Sequence, residues 1–220
     1  MVEDEKIKKL YEKANQLADK SNYNKAIKYF DDILRINPNQ PEAWYGKAGC
    51  LSLLKKFNDA LVCCNNALQL KTDYYQVMSV KGTILRELGR DDEALEMFDK
   101  SLKNDPNQIY IWTNKGHILY EKDKFKESLE SYNKALEINP KYAFALIGKA
   151  ACLDGLGKEK ESEEVFNQIP DNELPGLAEK FGIDLNSINK ANQTNYKFCP
   201  SCGNELGASK NFCGKCGFKL

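Results

Sequence analysis

Four cysteines close to the C-terminus have the spacing of metal ligands. They form two Cys-x2-Cys pairs, Cys199 with Cys202 and Cys213 with Cys216, separated by ten residues, and each pair is followed by a glycine. Two intervening residues let both thiolates of a pair face one ion, and the glycine leaves room for the turn. Four thiolates make the closed tetrahedral set of a structural Zn²⁺ site. The segment is too short to fold around its own core, so the sequence predicts one structural zinc ion that stabilises it.

Two other states of these four cysteines stay open on sequence alone. Thiolates also bind iron, and oxidation would give disulfides, although disulfides are rare in reducing compartments. Residues 198–220 resemble a short zinc-ribbon module of the kind found at the ends of prokaryotic proteins, which implies a small β-hairpin around the metal. The ten-residue gap is shorter than the roughly 15–20 residues common between such pairs.

The other four of the eight cysteines have no such spacing. Cys50, Cys63, Cys64 and Cys152 lie in segments with helical periodicity, and Cys63 and Cys64 are neighbours whose side chains would point in different directions on a helix. Free cysteine packs as a small apolar residue. We therefore expect these four to be core residues.

Apolar and small residues before the cysteine-rich tail recur with a period of 34 residues. A large apolar residue, a small residue and a leucine recur in each unit at spacings of four and three, which places them on one helix face. The recurring residues are Leu10, Trp44, Met78, Trp112 and Leu146; Ala14, Ala48, Gly82, Gly116 and Ala150; and Leu17, Leu51, Leu85, Leu119 and Leu153. A second helix follows with a small and a large residue four apart, Ala26 and Phe30 in the first unit. The period predicts helix pairs that bury their apolar faces by stacking.

This pattern resembles the tetratricopeptide repeat, whose signature is W-x2-L-G-x2-Y, then A-x3-F, then P. The fourth unit carries Trp112, Gly116, Leu119, Tyr132 and Pro140 at the matching places. The resemblance implies an all-α fold, a right-handed α-solenoid of helix-turn-helix repeats. The solenoid would span residues 3–170, with units at about 7–40, 41–74, 75–108, 109–142 and 143–170. We expect a capping helix at 171–188 because the last repeat needs a cap, then a linker at 189–197 and the zinc ribbon at 198–220.

The resemblance also implies where a ligand would bind. In this family the contacts come from positions 2, 5, 9, 12 and 13 of the first helix in each unit, here counted from Ile7, and those positions include Gly49, Ser52, Leu53 and Ser79. The residues expected to contact a partner are Tyr11, Asn15, Tyr45, Gln76, Thr83, Arg86, Tyr110, Thr113, His117 and Tyr120. Tyrosines, amides and hydroxyls suit an extended or helical peptide. The alternative is that the tyrosines pack between repeats.

One ligand class of the family does not fit these residues. Co-chaperones of the family clamp the C-terminal carboxylates of heat-shock chaperones with lysines, asparagines and an arginine. Asn15 is in place, but Tyr11, Gly46, Gln76 and Val80 occupy the other four clamp positions. They lack the charge-assisted donors that a clamped carboxylate needs. We therefore expect no heat-shock chaperone partner of the carboxylate-clamp type.

The composition narrows the remaining function classes. Lys plus Arg and Asp plus Glu both number 32, so no overall field favours nucleic acid. No apolar run approaches the roughly 20 residues of a membrane span, and no apolar leader follows Met1. We expect a cytoplasmic protein without a membrane partner. His117 is the only histidine, and the common nucleotide, metalloprotease and hydrolase motifs are absent, so the chain is not expected to be an enzyme.

The sequence therefore predicts an adaptor that binds a protein or peptide partner and carries one structural zinc ion. The alternative is a nucleic-acid-associated accessory protein. It rests on Lys197, Lys210, Lys215 and Lys219 near aromatic residues in the ribbon, since such mixtures bind single strands. The same lysines would also offset the double negative charge of a zinc ion held by four thiolates.

Overall fold

The computed structural model of the chain describes residues 2–169. The chain divides into two units, Met1–Gln168 and Ile169–Leu220. The expected capping helix at 171–188, linker at 189–197 and hairpin ribbon at 198–220 lie outside the described residues, as do the four predicted zinc ligands.

Residues 2–169 form ten α-helices and no strand. The helices are α1 Val2–Asp19, α2 Tyr23–Ile36, α3 Pro41–Leu53, α4 Phe57–Leu70, α5 Tyr75–Glu87, α6 Asp91–Asn104, α7 Ile109–Glu121, α8 Phe125–Ile138, α9 Ala143–Gly155 and α10 Glu159–Phe166. Each packs mainly on its neighbours in the chain. The expected all-α fold of paired helices is confirmed for this part of the chain.

The turn inside each pair is the same in all five units. One residue per turn has a positive φ: Ser21, Lys55, Gly89, Asp123 and Gly157, with φ between 56° and 72°. The next N–H donates to a carbonyl five residues back, as Lys56 does to Leu51 at 2.9 Å, which closes the helix end. Glycine takes this conformation without strain, whereas the other residues do not. The repeat period is therefore also a period of turn geometry.

Rings from the second helices pack against glycines of the first helices. Phe30 and Phe98 are buried in α2 and α6, and a Cβ added at Gly46 or Gly82 would meet their ring atoms at 2.6 Å. Tyr132 of α8 contacts two such glycines, Gly116 in α7 and Gly148 in α9. The absent side chains let the helices approach closely, as the small residues of the repeat predict.

Salt bridges and a hydrogen bond join the second helix of one unit to the first helix of the next. Lys47 Nζ lies 2.6 Å from an Asp31 carboxylate oxygen, Lys81 Nζ donates to Asn65 Oδ1 at 2.7 Å, and Lys115 pairs with Asp99. Donors and acceptors both recur every 34 residues. No helix in residues 2–169 is long and apolar enough to cross a membrane.

Candidate functional site

A groove lies where the first helices of units two, three and four meet. Its volume is about 310 Å³, and apolar surface dominates its walls. Three lining residues come from α3, three from α5 and one from α7: Gly49, Ser52, Leu53, Ser79, Val80, Thr83 and Ile111. All but Val80 and Ile111 occupy positions that the family resemblance assigns to ligand contacts. No side chain of the lining is charged.

Gly49 and Leu53 make the α3 wall open and apolar. A Cβ added at Gly49 would meet nothing within 4 Å, so the groove begins at the backbone of α3. Leu53 is 63% exposed, whereas the core side chains Phe30 and Phe98 are at most 2% exposed. Covering an exposed leucine beside an uncharged recess with a partner's apolar surface is favourable, because it removes apolar area from water.

The opposite wall carries polar groups that are already hydrogen-bonded. Ser79 Oγ donates to Gln108 Oε1 at 2.6 Å and lies 2.6 Å from Ser101 Oγ. Ser101 is fully buried and contacts the Tyr75 carbonyl at 2.9 Å. These hydrogen bonds hold Ser79 in place between units three and four. At the same repeat position in unit two, Tyr45 instead packs on the tilted ring of Tyr74, with ring centroids 5.4 Å apart.

A cation lies one helical turn beyond the groove on α5. Arg86 is half-buried; its Nη1 donates to Asn114 Oδ1 at 2.8 Å, and its Nη2 lies 3.3 Å from His117 Nδ1. Glu121 Oε2 lies 3.2 Å from the same His117 nitrogen. One nitrogen cannot accept from Arg86 and donate to Glu121 at once. A ring with its hydrogen on Nε2 accepts from Arg86 at Nδ1, whereas a ring with a hydrogen on Nδ1 donates to Glu121.

The expected contact tyrosines divide into two kinds. Tyr110 is 68% exposed and Tyr120 is 38% exposed, so a partner can reach both. Tyr11 is half-buried against the Phe30 edge with centroids 6.4 Å apart, and its hydroxyl oxygen is buried. Burial raises the pKa of Tyr11 to about 12 and also raises the pKa of Tyr45. Tyr11 and Tyr45 therefore contribute packing between units.

The remaining expected contacts are small polar groups. Thr83 Oγ1 donates to the Ser79 carbonyl at 3.0 Å, and Thr113 Oγ1 donates to the Ile109 carbonyl at 2.8 Å. Both hydroxyl oxygens can still accept from a ligand. Gln76 is half-buried and Asn15 is exposed. Thr83 alone of the ten expected residues lines the groove. Val80 and Ile111 also line it, and no sequence signal predicted them.

The solenoid cysteines cannot act as nucleophiles or ligands. Cys50, Cys63, Cys64 and Cys152 are all free and buried, as expected. Burial raises the pKa of Cys63 to about 11 and that of Cys64 to about 12. A protonated, buried thiol is inert.

The described part of the chain holds no metal centre. No group of three or more His, Cys, Asp or Glu side chains in residues 2–169 is arranged to bind an ion. The candidate ligands thus remain Cys199, Cys202, Cys213 and Cys216, whose four-thiolate chemistry suits zinc.

Three family models match the chain. "Psidin, N-terminal TPR repeats region" matches residues 4–115, "Tetratricopeptide repeat" matches 109–142, and "zinc-ribbon domain" matches 189–220. The chain belongs to the tetratricopeptide repeat family. The zinc-ribbon match begins at 189 and so includes the stretch expected to be a linker. Tetratricopeptide repeats are in general interaction modules rather than enzymes.

Solved tetratricopeptide repeat structures share the fold. MamA from Desulfovibrio magneticus RS-1, residues 41 to the end, aligns with a TM-score of 0.68 and 17% identity over 74% of this chain and 92% of its own. A MamA RS-1 double mutant aligns with a TM-score of 0.69 and 16% identity over 74% and 92%. YrrB, "a TPR protein with an unusual peptide-binding site", aligns with 0.65 and 19% over 78% and 90%. No curated protein sequence matches the chain. At these identities the likeness concerns the fold alone.

Proposed function

We propose that this tetratricopeptide repeat protein is a non-enzymatic adaptor whose groove between α3, α5 and α7 binds a peptide segment of a protein partner. The observation that carries the proposal is the exposed Leu53 beside an uncharged recess of about 310 Å³. Solvent-exposed apolar walls of this kind favour a partner's side chain, and hydroxyls of Ser52 and Thr83 can fix its backbone. The peptide-binding site of YrrB shows that a similar fold can serve this purpose.

The test is peptide selection against the full-length protein with two matched variants. Leu53 and Val62 are 63% and 58% exposed, on α3 and α4 of the same unit, but only Leu53 lines the groove. Peptides selected from a displayed library should lose about tenfold in affinity with Leu53→Ser and keep it with Val62→Ser, because about 1–1.5 kcal/mol of apolar burial disappears. An equal loss of affinity in both variants, or no loss in either, would show that the peptides do not bind in the groove.

A second variant closes the groove without removing any contact of the core. Gly49 faces open space, so Gly49→Leu should fill the recess and keep the helix. Circular dichroism should show an unchanged fold while the selected peptides lose binding. Full binding by a folded Gly49→Leu protein would mean that the peptides bind elsewhere.

We further propose that Cys199, Cys202, Cys213 and Cys216 hold one structural Zn²⁺. The match of residues 189–220 to a zinc-ribbon domain supports this assignment, and the buried solenoid thiols leave these four as the candidate ligands. Protein purified without oxygen should contain one zinc per chain and lose it in Cys199→Ser. One iron with a visible absorption band, or a metal-free protein with two disulfides, would contradict the assignment. Reduced thiols in the core fit the cytoplasm, where we place the protein.

A further inference from the structure

We propose that the groove selects a peptide by its charge: an apolar side chain fills the recess, and an acidic side chain of the same segment pairs with Arg86. This inference rests on the proposed function, because it names the class of peptide that the groove would take. It uses residues outside the carboxylate-clamp positions, since Arg86 lies six residues beyond Val80 on α5.

Arg86 forms no salt bridge with a carboxylate within residues 2–169. Among the described residues its polar partners are two neutral acceptors, Asn114 Oδ1 at 2.8 Å and, in the tautomer that can accept, His117 Nδ1 at 3.3 Å. The other two arginines are different, because Arg35 pairs with Asp32 and Arg90 pairs with Glu93. A guanidinium carries five N–H donors in a planar fork, so Arg86 keeps donors for a ligand.

Arg86 lies close enough to the recess to reach a second side chain of an extended peptide. Thr83 lines the recess, and Arg86 follows it by three residues on the same helix, which is about 4.5 Å along the axis. In an extended strand, side chains on one face are two residues and about 7 Å apart. An apolar anchor in the recess therefore brings the side chain two residues away within reach of the long Arg86 side chain.

The acidic side chains near Arg86 should attract a basic peptide less strongly than Arg86 attracts an acidic one. Glu121 is 54% exposed and lies 3.2 Å from His117, and Glu87 is exposed at the end of α5. Exposed ion pairs contribute little because water screens them. Arg86 is half-buried, so a charge-assisted bond to it is stronger. Glu121 nevertheless repels a ligand carboxylate, so removing its charge should strengthen binding of an acidic peptide.

The experiment measures binding of fluorescein-labelled peptides to the full-length protein by anisotropy at low and physiological salt. Each ten-residue peptide is built of Ser and Gly around one insert: Leu-Ser-Glu, Glu-Ser-Leu, Leu-Ser-Gln, Leu-Ser-Lys or Ala-Ser-Glu. The tighter of the two acidic leucine peptides should bind about tenfold more tightly than Leu-Ser-Gln, and Leu-Ser-Lys should bind more weakly than Leu-Ser-Gln.

Three variants separate the contributions. Arg86→Gln should abolish the preference for Glu over Gln, and with Glu121 still present the Glu peptide should bind no more tightly than the Gln peptide. Arg35→Gln, which changes an exposed arginine on α2, should alter no affinity. Glu121→Gln should strengthen the acidic peptide by a few fold, because it removes a repelling charge. Leu53→Ser should weaken all leucine peptides by the same factor and leave the preference for Glu in place.

The outcomes distinguish this inference from the proposed function. Groove-dependent binding of leucine peptides without preference for Glu, or with preference for Lys, contradicts the pairing with Arg86 and leaves the groove in place. An unchanged preference in Arg86→Gln does the same. Failure of every peptide to bind at the highest protein concentration contradicts both.

Discussion

Two glycines of α3 should respond in opposite ways to the same substitution. Gly46 and Gly49 are three residues apart in one helix, so Ala at either position gains about 0.5–1 kcal/mol of helix propensity. At Gly49 the new Cβ meets nothing within 4 Å, but at Gly46 it meets the Phe30 ring, with Cε1 at 2.6 Å. Phe30 is 2% exposed and packs on Tyr11, so the ring cannot move aside without disturbing the core.

The magnitude follows from these two effects. Overpacking of a buried ring costs about 1–3 kcal/mol, so Gly46→Ala should destabilise the protein by up to about 2 kcal/mol, while Gly49→Ala should stabilise it by up to about 1 kcal/mol. The two variants should differ by about 1–3 kcal/mol. At about 2–4 °C per kcal/mol for a domain of this size, the melting temperatures of the full-length variants should differ by several degrees in circular dichroism. A Gly46→Ala protein as stable as Gly49→Ala would refute the close ring packing.

Three further predictions concern turns, pH and thiols. Lys55 has a φ of 58°, so Lys55→Gly should raise the free energy of unfolding by about 1 kcal/mol in urea titration, and a decrease would mean that the strain is absent. Burial raises the pKa values of Tyr11 and Tyr74 from 10 to about 12. A raised folded-state pKa contributes stability below pH 10 that is lost as the pH rises toward 12, so urea midpoints should fall across that window. Midpoints that stay constant from pH 10 to 12 would contradict the burial. Cys63 and Cys64 should not react with a thiol reagent at pH 8 until the protein is unfolded, and rapid reaction of the native solenoid would contradict their packing.

The repeat period made the helices predictable because it records contacts rather than propensity. Leu51, Ala60 and Gly82 recur where one helix faces another, and these residues are all buried. The five turns lie at the same register. The helix pairs and the burial of the free cysteines could therefore be predicted from the sequence.

The groove could not be predicted to the same depth, because it depends on neighbours that the period does not specify. Tyr11 and Tyr45 share a repeat position with Ser79, yet the two tyrosines pack against rings while Ser79 bonds to Gln108. The contact between Arg86 and His117 joins adjacent units through two residues that are 31 positions apart in the sequence. Such pairings follow from the distance between successive first helices, which only the folded chain provides.

The location of the bound peptide tests the central claim most directly. With isoleucine, leucine and valine methyl groups labelled in the full-length protein, NMR spectra can be recorded while a selected peptide is added. We expect the methyl resonances of Leu53, Val80 and Ile111, which line the groove, to shift when peptide is added. The resonances of Val62 and Ile138 on the second helices should not shift. Saturable shifts at Val62 and Ile138 with an unchanged groove would contradict it.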